Sequence, residues 1–209
     1  MRQKNRKMAK KNLYLISLAL FMHCQFTMAA ENLGAGKGVV EKFHAELLQV
    51  MIQSDSLGFS GRVDALVPVL METFDFATIA RIVTGQHWKN LDDHQRSKFI
   101  AIFGDLSAAT YASNFDGFSG ENFETIGVEE KRGNILVRTL IQRIDDEPVT
   151  LDYLLRRNDG IWRIVNVIAN GVSDLSLKRA DYTAVLKTEG FDSLVSKLSD
   201  KIVSYNIGE

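Results

Sequence analysis

VTLDYLLRRNDGIWRIVNVIA, residues 149–169, alternates apolar and polar side chains on either side of Asn158-Asp159-Gly160. Val149, Leu151, Tyr153 and Leu155 recur at every second position, the period of a strand that buries one face. Asn-Asp-Gly between two such runs is the strongest short-range hairpin signal in the chain. Upstream, Asn134–Arg143 repeats the pattern with Ile135, Val137, Thr139 and Ile141 on one face, and Phe123–Glu130 precedes it as a first strand. Lys131-Arg132-Gly133 and Asp145-Asp146-Glu147 supply the other two turns. Successive strands joined this tightly form an antiparallel meander, here of four strands. Leu136, Leu140, Leu154, Trp162 and Ile164 alternate to the opposite face, so both faces are partly covered.

On either side of the strands the period changes to that of a helix. Val40, Phe43, Leu47, Val50 and Met51 share one face of a segment over 39–53. Ser54–Gly61 reads as a loop. Val63, Leu66, Val67, Leu70 and Phe74 mark a second helix, with a kink or late start expected at Pro68. The third stretch, FDFATIARIVTGQHW (74–88), is strongly apolar and stops at Thr84-Gly85, glycine being the residue that most readily takes the left-handed C-terminal conformation. Asp92 with Gln95 reads as a capping box opening a fourth helix to about Phe115. Leu175–Thr188 and Asp192–Tyr205 close the chain. The expected fold is α+β: N-terminal helices packed on a curved four-stranded antiparallel sheet, then C-terminal helices, with an NTF2-like cavity between the layers.

The 209 residues include one cysteine and two prolines. Residues 1–12 carry Arg2, Lys4, Arg6, Lys7, Lys10 and Lys11 without an acid, followed by the apolar run Leu13–Phe26 and the small residues of Thr27-Met28-Ala29-Ala30. That order predicts a cleaved secretory signal over 1–29 and a periplasmic destination. Residues 30–38, rich in glycine, read as a flexible leader, and 39–205 as one domain. Six of the 25 Lys+Arg and none of the 26 Asp+Glu lie in the first 29 residues, leaving 19 bases against 26 acids and a net charge of −7. An acidic chain argues against nucleic acid as a partner. Cys24 falls in the signal, so the processed protein has neither a disulfide nor a thiol catalyst.

No catalytic or metal-binding set emerges. His87, Asp92, Asp93 and His94 lie close in sequence, but the spacing fits no ligand pattern and acids at a helix start cap it. Gly58-Phe59-Ser60-Gly61 and Gly117-Phe118-Ser119-Gly120 both lack the spacing of a nucleophile elbow. Asp145-Asp146-Glu147 reads as a solvated turn, and Arg138 with Asp152 as a cross-strand pair. The concentrated feature is aromatic: Phe74, Phe76, Trp88, Phe99, Phe103, Tyr111 and Phe115.

Phe74-Asp75-Phe76-x-x-x-Ala80-Arg81-x-Val83-x-Gly85-x-x-Trp88, Gln95-x-x-x-Phe99-x-x-x-Phe103 and Thr110-Tyr111 resemble the MlaC (toluene-tolerance auxiliary) family. The resemblance continues through Val149-x-x-Asp152-Tyr153, Asp159-Gly160-x-Trp162-Arg163-Ile164, Gly171-Val172-Ser173 and Glu189-Gly190-Phe191-Asp192-x-Leu194, covering roughly 39–203. It implies a periplasmic, monomeric carrier that holds the acyl chains of a phospholipid in an α+β cavity. The implied partners are the substrate-binding subunit of an inner-membrane ABC transporter and an outer-membrane lipoprotein complex; no cofactor and no enzymatic activity are implied. Asn166, where many relatives carry Asp, and the run Asp174–Tyr182 depart from the main pattern. The latter looks like HpnM, the hopanoid-associated branch, which keeps a hopanoid open as cargo.

On this reading the lipid-facing wall comprises Phe74, Phe76, Ile79, Val83, Phe99, Phe103, Leu106 and Tyr111 from the helices, with Val137, Leu151, Tyr153, Val165 and Val167 from the sheet. Arg81 is the candidate for touching a headgroup phosphate. Two chains of roughly 15 methylenes would cost about 24 kcal/mol in water at about 0.8 kcal/mol per methylene, so a carrier need supply only a dry cavity. A cargo-free structural adaptor and a small NTF2-like enzyme with a buried Asp or His remain as alternatives.

Overall fold

A computed structural model of the chain describes residues 30–144 and 146–207. The secretory signal and Cys24 lie outside them, as does Asp145. Residues 30–35 are helical and fall outside the compact unit that begins at Gly36. Within that unit the chain is helical over 36–52 (α1), followed by α2 (Ser54–Thr73), α3 (Phe76–Thr84), a 3₁₀ turn (Gly85–Asn90) and α4 (Asp93–Asn114). Then come β1 (Asn122–Lys131), β2 (Asn134–Gln142), β3 (Val149–Asn158), β4 (Ile161–Ala169), β5 (Val172–Ser173), α5 (Asp174–Thr188) and α6 (Phe191–Ile207).

The sheet is an antiparallel meander in the order β1-β2-β3-β4-β5. It has five strands rather than four, and it is open, with β1 and β5 as edges. Three of its connections are two-residue X-Gly turns in which both residues have positive φ: Arg132 and Gly133 at 54° and 75°, Asp159 and Gly160 at 49° and 81°, Asn170 and Gly171 at 47° and 80°. Paired positive φ values match the twist of flanking strands, which is why such turns close hairpins. Asn170-Gly171 is the signal for the fifth strand, which the sequence reading passed over.

Two β-bulges shift the pattern. Leu154 pairs with Asn166 but Leu155 with Ile164, so Val165 is an extra residue in β4. Beyond it the alternation inverts. Ile164 and Trp162, expected on the outer face, stand opposite Leu155 and Arg157 on the same side as Ile135 and Tyr153. The outer face carries Glu124, Glu129, Arg138 and Gln142, all exposed, with Arg138 held by Glu129 at 2.8 Å.

The helices begin and end as their local chemistry dictates. Asp75 caps α3 through Thr78 N at 2.8 Å and also accepts from Asn158 Nδ2 at 2.6 Å, tying the helix start to the end of β3. Asp92 and Gln95 form the reciprocal capping box of α4. Gly85 ends α3 at φ 58°. Three expectations change. Residues 31–38 are helical instead of a loose leader, and the 54–61 loop is helical except at Gly58, whose φ of 59° and ψ of −179° bend α2. That bend is at Gly58, and the backbone stays helical around Pro68.

Gly36 explains how a glycine-rich segment packs. A Cβ placed there would lie 2.7 Å from Ile135 Cδ1 and 3.0 Å from its Cγ2, and Ile135 is fully buried. Only a residue without a side chain lets α1 come this close to β2. Gly36→Val is expected to lower stability by about 1–3 kcal/mol through overpacking, despite the better helix propensity of valine. Urea titration of the two proteins checks it.

Candidate functional site

The core between helices and sheet is solid at one end and hollow at the other. Under α1, Ile135, Val137, Tyr153, Leu155 and Ile164 are buried against Val40, Phe43, His44 and Leu47, with at most a few per cent of any of them exposed. Toward the β2–β3 connection the layers part and leave a cavity of about 830 Å³. That is large enough for a substantial part of a small-molecule ligand.

One side of the cavity is an aromatic band. Phe76 meets Phe103 at 5.9 Å and Phe74 at 5.7 Å; Phe74 meets Tyr111 at 6.2 Å, and Tyr111 stacks on Phe115 at 5.8 Å. All five rings line the cavity. Facing them are Ile141, Val149, Leu151, Val165, Val167 and Ala169 from β2, β3 and β4, and Met51 and Leu175 add to the lining. The Val165 bulge places two consecutive residues, Ile164 and Val165, against the interior, one in the solid core and one on the cavity. Toward the mouth the lining turns polar: Ser107, Thr110 and Asn114 on α4, then Asp116, Ser119 and Glu121, Arg143 and Asp146, and Asp174 and Lys178.

Of the thirteen residues expected on the wall, Phe74, Phe76, Ile79, Phe103, Tyr111, Leu151, Val165 and Val167 line the cavity. Val83, Phe99, Leu106, Val137 and Tyr153 do not; each is buried in the surrounding core. Phe99 turns instead to Tyr182 of α5, ring to ring at 6.1 Å. Val137 and Tyr153 lie at the solid end, below α1. The cavity stripe on α4 is Phe103, Ser107, Thr110, Tyr111 and Asn114, at helical spacing but half polar. Because α4 also packs on α2, α3 and α6, its apolar residues point several ways and hydrophobicity alone selects a different face. Arg81 is exposed and off the lining, roughly half a turn around α3 from Ile79, whereas Arg143 and Lys178 are the cations at the mouth.

Two buried polar groups went unnoticed in the sequence. Arg62 donates to Ala112 O at 3.0 Å and lies within 3.5 Å of Ser54 O, fastening α2 to α4 and to its own start. His44 Nε2 lies 2.9 Å from Tyr153 Oη, and its ring stacks on Phe123 at 4.3 Å. Neither lines the cavity. Burial lowers the His44 pKa to about 4 and pushes the Tyr153 and Tyr111 hydroxyls up. Asp152 points to the outer face; burial raises its carboxyl, which Arg138 opposes.

The histidine has a measurable consequence. Between pH 6.5 and pH 4 the unfolded chain protonates His44 while the folded one does not, so stability falls as pH falls through that window. The loss approaches 3 kcal/mol at its acid end, from about 1.4 kcal/mol per pKa unit. Asp105 and Asp152, whose pKa values are raised by burial, act in the opposite sense. His44→Gln keeps a partner for Tyr153 without the titration. The difference in melting temperature between wild type and variant is expected to change across this window and level off below pH 4.

Residues 41–200 match the family described as MlaC protein. The intermembrane phospholipid transport system binding protein MlaC of Haemophilus influenzae is 26% identical over 121 residues, which is 56% of this chain and 56% of that protein. The chain thus matches about half the length of this curated relative. Among solved structures, the phospholipid-binding protein of Ralstonia solanacearum in complex with a phospholipid superposes with a TM-score of 0.73 at 16% identity, covering 82% of this chain and 98% of that one. At that identity the likeness concerns the fold.

Proposed function

This chain belongs to the MlaC family, and from that premise we propose that it is a periplasmic phospholipid carrier, not an enzyme. One observation carries the reading: an 830 Å³ cavity with an aromatic and aliphatic interior and a polar, charged mouth. Those are the two ends of an amphiphile. Acyl chains placed among Phe74, Phe76, Phe103, Leu151 and Val167 escape water, and a headgroup at Asp116, Arg143 and Lys178 keeps it. The work requires no catalytic residue and no cofactor, because the free energy of transfer from bilayer to cavity is small when both are apolar.

In this reading residues 1–29 direct export, and the carrier exchanges lipid between the substrate-binding subunit of an inner-membrane ABC transporter and an outer-membrane lipoprotein complex. No helix among the described residues is long and apolar enough to cross a membrane, which accords with a carrier in transit. Asn166 lies on the cavity lining, and its Oδ1 accepts from Leu175 N and lies 3.2 Å from Ser173 Oγ at the start of α5.

The test is organic extraction of the purified processed protein followed by mass spectrometry. One phospholipid per protein molecule is the expected result. A hopanoid in that place would reassign the cargo, and repeated recovery of nothing would favour the adaptor reading.

A further inference from the structure

The rim of the cavity is built from charged segments. Three segments form it: the α4–β1 connection with Asp116 and Glu121, the β2–β3 connection with Arg143 and Asp146, and the first turns of α5 with Asp174 and Lys178. The first two segments touch, since a Cβ on Gly120 would fall 2.6 Å from Ile144 Cδ1. Arg143 pairs with Asp146 at 3.1 Å and Lys178 with Asp174 at 2.5 Å. Among the described residues each cation at the mouth is thus matched by a carboxylate of its own segment. Among the described residues Asp116 and Glu121 are in excess of those two pairs, and Glu121 accepts the backbone N–H of Ser119 at 2.6 Å.

Building on the carrier reading, we infer that this rim selects a zwitterionic aminophospholipid over an anionic one. Both kinds of lipid present a phosphate, which Arg143 and Lys178 serve equally. They differ in what lies beyond it. An ammonium meets the two surplus carboxylates favourably. A neutral polyol leaves the phosphate charge beside a rim that is already negative. Partly exposed pairs of this kind contribute modestly, so the preference expected is roughly two- to five-fold, and salt screens it.

The delipidated full chain is incubated at low ionic strength with equimolar phosphatidylethanolamine and phosphatidylglycerol bearing the same two acyl chains, and the lipids bound are counted by mass spectrometry. Enrichment of phosphatidylethanolamine that fades at high salt is expected. The double variant Asp116→Asn, Glu121→Gln is expected to bring the ratio close to one; both positions are on a surface connection, and circular dichroism verifies the fold. Equal loading by the wild type, enrichment of phosphatidylglycerol, or an unchanged ratio in the double variant would overturn the headgroup inference and leave the carrier standing. Failure to load either lipid would overturn both.

Discussion

Val167→Asp is expected to yield a folded protein that carries no lipid. Val167 is in β4, half-buried, with its side chain on the cavity. In the empty cavity a carboxylate at this place keeps its water, so the fold tolerates it. An acyl chain laid against it removes that water without offering a hydrogen bond. Desolvating a charge in this way costs several kcal/mol, and each 1.4 kcal/mol is a factor of ten in occupancy, so loading falls by more than about a hundred-fold. Mass spectrometry of the extracted protein reads the lipid, and circular dichroism reads the fold. Val137→Asp is the matching contrast. Val137 is fully buried at the solid end of the sheet, so the same charge there is expected to unfold the protein rather than to empty it. Stoichiometric lipid in folded Val167→Asp would remove β4 from the lipid-facing wall.

The second large effect is on stability. Phe43→Ala is expected to cost about 3–5 kcal/mol, the range for deleting a large buried aromatic side chain. Phe43 is fully buried, and its ring makes edge contacts with Phe74 at 5.4 Å, Tyr111 at 5.3 Å and Tyr153 at 6.2 Å. It therefore joins α1 to the end of α2, to α4 and to the centre of the sheet at one point. Alanine leaves a void among rigid rings that cannot collapse to fill it. The midpoint of urea unfolding measures the loss, and a cost near 1 kcal/mol would show that the neighbouring rings do repack.

What could be read from the sequence follows from how local each signal is. The hairpin at Asn158–Gly160 and the capping box at Asp92 are written in three or four adjacent residues, and both stand as expected. The bulge at Val165 is not. It depends on which residue of β3 faces which residue of β4, and without it Trp162 and Ile164 fall on the wrong face. The cavity lining was legible where a residue belongs to a strand with one buried side, as with Leu151 and Val167. It was illegible on α4, a helix packed on several sides. There the cavity stripe also runs through Ser107 and Asn114, polar residues that no search for hydrophobicity selects. The cations at the mouth were missed for a similar reason: Arg143 and Lys178 are some 35 residues apart and meet one opening only through the fold.

The two-residue turns of the sheet also set an order of events. Strands joined by Arg132-Gly133, Asp159-Gly160 and Asn170-Gly171 find partners a few residues away, and hairpins of this kind form within microseconds. The helical wall has no such shortcut. His44 waits for Tyr153, 109 residues later, and Phe74 for Ile164, with which it forms an isolated bridge. During synthesis α1 to α4 emerge before the strands that cover them, so Phe43, Phe74 and Phe76 pass through that interval without their partner layer. High sequence separation slows closure, and uncovered apolar surface during the delay is what drives aggregation. Among the stages in the life of this chain, the period before β3 and β4 arrive is therefore when an escort that shields apolar segments matters most.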